Sequence, residues 1–186
     1  MDNTEFRAFN KIPRFFRDII ITEKIDGTNA QIYIPDEDMN GENIVAGSRS
    51  RWLTVESDNY GFARWVRDNE KELNKLGPGR HFGEWWGSGI QRKYGLTEKR
   101  FSLFNWKRWA EPGTRIPNCV YVVPMLYEGP FSIEAVDKTL QELSLSGSRA
   151  ALGFMNPEGV VILHTASGQL FKYTLDGDGH KTIKER

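Results

Sequence analysis

The chain is poor in the residues that would staple or anchor it. Its 186 residues include one cysteine, Cys119, so no disulfide can form within it. A single thiol fits a reducing compartment, and the expected location is the cytoplasm. No apolar run approaches the ~20 residues of a membrane span, and the N-terminal stretch has no signal-peptide h-region. The histidines, His81, His164 and His180, show no metal-ligand spacing. GSRSRW and GEWWGSG contain glycine but do not match a phosphate-cradling Walker loop. Repeats, low-complexity tracts and linkers are absent, so one domain over residues 1–186 is expected. The net charge is +0, which argues against a uniformly basic binder of nucleic acid.

The composition is that of an ordinary globular protein, 39% hydrophobic and 27% charged. The charge is unevenly spread. Residues 80–115 hold eight basic side chains (Arg80, Arg92, Lys93, Lys99, Arg100, Lys107, Arg108, Arg115) against three acidic ones. A neutral total can therefore hide a positive face able to meet phosphates.

Extended segments are expected at 19–25, 30–34, 43–48, 80–86, 101–106, 119–123, 158–164 and 169–175, from β-branched and aromatic runs. Helices are expected over 59–76, where Phe62, Trp65, Val66, Leu73 and Leu76 share a face, and over 131–145, where Ser132 can N-cap. Many strands with two helices predict an α+β domain built on antiparallel sheets.

Charged residues interrupt four of these strands. Lys24 follows Ile19–Ile21, just before the turn Asp26-Gly27-Thr28-Asn29, where glycine permits positive φ. Glu84 sits in HFGEWWG, Glu158 opens EGVVILH, and Lys172 lies in LFKYTL. One such interruption is a side chain facing water. Four of them, two cations and two anions, predict a shared polar cavity between sheets.

These segments carry a resemblance. EKIDGTN resembles the Lys-x-Asp-Gly nucleophile motif of the covalent nucleotidyltransferases, which comprise ATP-dependent DNA and RNA ligases and mRNA-capping guanylyltransferases. GSRSR, HFGEWWGSGIQRKYG, FSLFNW, NPEGVVI and LFKY then follow in that family's order, over residues 23 to about 173. The forms EKIDGTN and FGE…G…IQ are most similar to the RNA-ligase branch, notably phage nick-sealing RNA ligases. The resemblance implies a nucleotidyltransferase (ATP-grasp-like ligase) domain of antiparallel sheets flanked by helices, without a C-terminal OB domain. It implies ATP as AMP donor, Mg²⁺ or Mn²⁺ as metal, and a bacterial or phage-infected cell. The substrate would be RNA or a nicked nucleic-acid duplex, and the chain a monomer by default.

The same resemblance assigns roles. Lys24 would take AMP, and Lys172 would neutralise the transferring phosphoryl group. A lysine attacks phosphorus only as the free amine. Its ordinary pKa is about 10.4, and burial and neighbouring cations lower such a value. Glu23 would read the adenine edge. Asn29 and Arg49 would lie near the ribose and α-phosphate, and Glu84 on the ribose. Phe101 would stack on adenine, with Phe104 as the alternative register. Glu158 would serve the metal. Asp26 would polarise the nucleophile's surroundings or cap its own turn. Of Trp85 and Trp86, one would pack and the other border the cleft. Apart from the resemblance, the basic charge of segment 80–115 predicts that Arg92, Lys93, Lys99 and Arg100 contact nucleic acid.

Two departures stand out. A second motif lysine is replaced by Thr174, for which Lys181 or a basic residue from elsewhere would substitute, and about a dozen residues follow LFKYTL. A partner protein supplying a second domain is therefore expected as an option. The alternative is a non-catalytic or partner-dependent nucleotide- or nucleic-acid-binding module of the same fold. DNA ligation and guanylyl transfer are the variants within the enzyme class.

Overall fold

The computed structural model describes residues 6–36 and 44–176. In chain order the elements are β1 (Asp18–Lys24), β2 (Thr28–Ile34), β3 (Val45–Ser48), α1 (Phe62–Asp68), α2 (Glu70–Leu73), β4 (Gly79–Gly87), β5 (Lys99–Leu103), α3 (Trp106–Trp109), β6 (Val120–Val122), β7 (Met125–Pro130), α4 (Ile133–Ser146), β8 (Gly159–His164) and β9 (Gln169–Thr174).

Period-two alternation decides what β1 does. Ile19 and Ile21 face one side, and Ile20, Thr22 and Lys24 the other. The strand lies inside a four-stranded antiparallel sheet ordered β7-β1-β8-β9. Behind it Ile19, Ile21 and Val160 pack on Val136, Leu140 and Leu143 of α4. Each such burial stabilises the fold by about 1.5–3 kcal/mol. Ser132 Oγ accepts the Ala135 N–H at 3.0 Å and starts α4, a cap worth ~1 kcal/mol.

The second sheet has five strands ordered β3-β2-β4-β5-β6. Its outer face carries the larger core, in which Ile32, Trp85, Phe101 and Leu103 meet Phe62 and Val66 of α1. The two sheets thus face each other across a cleft, with helices outside. This is the α+β arrangement expected, with one difference. The β5–β6 pair is parallel.

Other differences are local. The expected helix 59–76 breaks at Asn69, whose backbone is at φ −114 and ψ 11 and whose amide donates to the Trp65 carbonyl at 2.8 Å. A competing side-chain bond of this kind ends a helix. The strand expected to reach 106 stops at Leu103, because Asn105 caps α3 by accepting the Arg108 N–H at 3.3 Å. The strand β7 was not expected from its Gly129-Pro130 end. It is an edge strand, where a residue without an N–H is tolerated. Among the described residues no helix is long and apolar enough to cross a membrane.

Candidate active site

The cleft between the sheets has a volume of 770 Å³, within the usual range for small-molecule sites. The four-stranded sheet lines it with Ile20, Thr22, Lys24, Val161, Leu163 and Leu170. The five-stranded sheet contributes Asn29, Gln31, Arg80, Phe82 and Glu84. Arg49, Phe104, Lys107 and Arg108 also border it.

Lys24 ends β1 on the cleft side. Its Nζ lies 2.6 Å from Glu158 Oε2, and the two side chains are 25% and 16% exposed. Cations were expected around this amine. The structure places a carboxylate against it instead, carried in by the antiparallel pairing of Lys24 with Gly159.

Across the cleft Glu84 accepts two bonds from the turn after Lys24. The Gly27 N–H donates to Oε1 at 3.1 Å, and Asn29 Nδ2 donates to Oε2 at 3.2 Å. Burial pushes the Glu84 carboxyl up to about 7. Lys24 and the Gly27 N–H counter that rise, while the charges of Glu158 and Asp26 add to it. Folding therefore raises this pKa from its ordinary 4.5, and the folded protein holds a proton over a window where the unfolded chain has released it. The resulting stability is full below pH 4.5 and is lost as pH rises through about 7. The loss is about 3 kcal/mol. Glu84→Gln removes this slope. Urea unfolding at pH 5 and pH 8 is expected to show a steeper fall in the wild type than in the variant, the difference being the share of Glu84. Equal slopes would place the titration elsewhere.

Cross-strand partners share a sheet face, and register therefore places Lys172. Thr22, Val161 and Lys172 form one row across the sheet, and Lys24, Gly159 and Thr174 form the next. Lys172 thus stands on the cleft face of β9, one row from Lys24. Thr174 occupies the row of Lys24 itself. Lys181 lies outside the described residues.

Several expected residues fall elsewhere. Glu23 borders the cleft, but its carboxylate points to the side opposite Lys24, as neighbours in a strand must. It is 1% exposed. Its oxygens accept the Ser148 hydroxyl at 2.5 Å and the N–H groups of Arg149 and Ala150 at 2.8 and 3.0 Å. Burial raises its pKa, and these bonds oppose the rise. This carboxylate anchors the loop after α4 and is not free to read a base.

Phe101 pairs with Trp85, so it shares the core face of the sheet. It is 0% exposed, with Phe62 and Trp65 at 5.2 and 5.9 Å between ring centroids. Phe104, three residues on, is the phenylalanine of this segment that borders the cleft. Trp86 is buried like Trp85 and donates to Ser102 Oγ at 2.9 Å, so neither indole lies open to the cleft. Gly27 does not have the positive φ expected of it. Its need for glycine is contact, since a Cβ there would sit 2.5 Å from the Trp85 carbonyl oxygen.

Asp26 does not cap its own turn. Its carboxylate accepts from Arg92 Nε at 3.1 Å. Arg92, expected on a nucleic-acid face, is 17% exposed and committed to carboxylates. Arg100 pairs with Glu98 and lies over the Trp86 and Tyr121 rings. Lys93 and Lys99 are exposed. Phe82 is a cleft residue that the sequence analysis missed. The signal was present in the alternation, because residues 80, 82 and 84 must share a face.

Among the described residues no group of three or more His, Cys, Asp or Glu side chains could hold a metal by itself. Glu158, beside Lys24, is a partly exposed carboxylate. One carboxylate completed by phosphate oxygens is a normal donor set for Mg²⁺.

The sequence profile of the RNA ligase family matches residues 17–174. No curated protein sequence gives a significant match. Among solved structures the chain is similar to an apo variant of a Naegleria gruberi RNA ligase. The TM-score is 0.57 and the identity 21%, over 84% of this chain and 49% of that one. A variant solved with ATP and Mn gives 0.56 and 20% at the same coverage, and one with AMP and Mn gives 0.55 and 20%. The chain spans about half the length of these structures, and at this identity the likeness is one of fold. Two sheets facing each other across a cleft that Lys24 lines form an RNA-ligase-type fold. The chain itself belongs to the RNA ligase family, as the match over residues 17–174 shows.

Proposed function

We propose that this domain joins RNA ends in an ATP-dependent reaction through a lysyl-AMP intermediate on Lys24. The observation that carries the proposal is the position of Lys24. It lies in a nucleotide-sized cleft, 2.6 Å from Glu158 and on the cleft face shared with Lys172. The amine attacks the α-phosphorus of ATP, an N–P bond forms, and the bond to pyrophosphate breaks. Glu158 Oε2 is the nearest acceptor for the proton the amine sheds. Lys172 and Arg49 face the charge that gathers on the phosphates. Glu84 and Asn29 hold the ribose end.

The AMP then passes to a 5′-phosphate, and a 3′-hydroxyl displaces it. The substrate is a nicked duplex or a bridged RNA break, told from DNA by its 2′-hydroxyls and A-form shape. Exposed Lys93 and Lys99, with Lys107 and Arg108 at the cleft, supply cations for the strand. ATP as donor and a divalent cation as helper are supported by the related structures that hold ATP, AMP and Mn. Glu158 would hold that cation, and when bound it supplies neutralisation of phosphate charge.

Phe104 is the ring for the adenine in this reading. Phe104→Ala is expected to raise the half-saturating ATP concentration by about 10-fold, the worth of one base stack. Titration of adduct formation against ATP checks it, and an unchanged midpoint would return the stacking role to another side chain.

The test of the function itself is intact mass after incubation with ATP and Mg²⁺. A gain of one AMP, lost again when a nicked RNA duplex is added and sealed, is the expected result. No gain between neutral and alkaline pH, in folded protein, would overturn the reading.

A further inference from the structure

The geometry points to Arg92 and Tyr94 as positioning residues that hold the nucleophile and its carboxylate partner in register, an assignment that rests on the reaction proposed above. Both lie in the loop joining β4 to β5, and each touches the segments beside Lys24 and Glu158. Arg92 Nε donates to Asp26 Oδ2 at 3.1 Å, and its Nη1 donates to the Asn156 carbonyl at 3.2 Å. Asp26 stands two residues after Lys24, and Asn156 two before Glu158. A third bond runs from Arg92 Nη2 to Asp176, just beyond the strand that carries Lys172. Tyr94 Oη accepts the Asp26 N–H at 2.8 Å. Its ring packs on Phe154, in the loop before Glu158, at 4.6 Å between centroids, and on Trp86 at 4.9 Å.

One guanidinium fork thus ties three segments that the chain brings together from 66, 64 and 84 residues away. The phenol closes the same turn from its backbone side. Holding Asp26 by both carboxylate and N–H leaves the turn after Lys24 little freedom to swing.

The loop is built for this at a cost. Gln91, Lys93 and Tyr94 have φ of 42, 60 and 51°, and Gly89 and Gly95 are also in the left-handed region. Such backbone is uncommon outside glycine and persists only where the surroundings over-determine it. Ile90 and Tyr94 supply that constraint. The first is wholly buried in the larger core, and the second is 2% exposed against Trp86.

The experiment is single-turnover AMP transfer to the protein in Arg92→Met, Arg92→Lys, Tyr94→Phe and the double variant, over a range of ATP concentrations. Arg92→Met is expected to slow transfer at saturating ATP by about 100-fold, the scale of an ångström-sized misplacement. Tyr94→Phe is expected to slow it by roughly 10-fold, with the half-saturating ATP concentration within about threefold of wild type in both. Arg92→Lys should stay within about threefold of Arg92→Met, because one ammonium cannot serve three acceptors as a fork does. The double variant should be little worse than Arg92→Met, since both residues act on one turn.

Wild-type rates in the folded single variants would overturn the assignment. So would a loss confined to ATP affinity, full rescue by Arg92→Lys, or independent multiplying losses. If Arg92→Met does not fold, amide exchange in Tyr94→Phe decides. The Asp26 N–H should exchange about 10-fold faster or more, having lost its acceptor, and an unchanged rate overturns the assignment. A wild-type protein that takes no AMP overturns the reaction and this assignment together. A reactive wild type with equally reactive variants overturns the assignment alone.

Discussion

Replacing Lys24 by alanine or by arginine is expected to abolish the proposed AMP transfer to the protein. The drop is at least roughly 10³-fold, since no neutral amine then faces the cleft from that position. Arginine is the sharper substitution. It retains a cation for Glu158, which the wild-type lysine meets at 2.6 Å. A guanidinium stays protonated and cannot attack phosphorus. Fold and pairing are then preserved while the chemistry is lost. Intact mass with ATP and Mg²⁺, beside thermal unfolding, reads both at once. An AMP adduct on folded Lys24→Arg protein would assign the nucleophile to another residue.

Gly27→Ala strikes the same turn through sterics. The added Cβ would meet the Trp85 carbonyl oxygen at 2.5 Å, the Trp86 Cβ at 2.7 Å and the Glu84 Cγ at 3.0 Å. The first of these is strand backbone inside a five-stranded sheet, so no rotamer change relieves it. Either β4 or the turn must move, and β4 is hydrogen-bonded to strands on both sides, so the strain falls on the side-chain bonds that hold the turn. Its displacement breaks the Gly27 N–H bond to Glu84 and shifts Lys24, three residues away. The expected cost is about 3 kcal/mol, in the range of a forced overpacking. AMP transfer should fall by roughly 100-fold, as misplacement of a reacting group does. Urea unfolding and single-turnover transfer measure the two effects. Wild-type values in both would mean that β4 does not approach the turn as closely as the structure has it.

Much of the scaffold was legible in the chain. Ile19–Ile21, the HFGEWWG run and EGVVILH are strands because period-two patterns and β-branched residues are local properties. The helix α4 was readable from its Ser132 cap and its apolar spacing. Of the four charges set in strands, Lys24 and Glu84 line the cleft, Glu158 pairs with Lys24, and Lys172 shares the sheet face of Lys24.

What the tertiary structure decided were matters of register and distant partners. Phe101 and Phe104 are equally good aromatic residues on paper. Pairing of Ser102 with Glu84 sends Phe101 into the core, and a register is a relation between two strands that neither states. Glu23 is an acid beside Lys24 in the sequence, but an anchor for Ser148, Arg149 and Ala150 in the fold. Arg92 reads as a surface cation until Asp26, Asn156 and Asp176 close around it. The sequence by itself determined most of the extended segments and the helix α4, because backbone preference and hydrophobic period act within a few residues. The packing of the two sheets determined which side chains meet, because those partners lie far apart in the chain, 64 to 84 residues for the bonds of Arg92, and are selected by the buried surface as a whole.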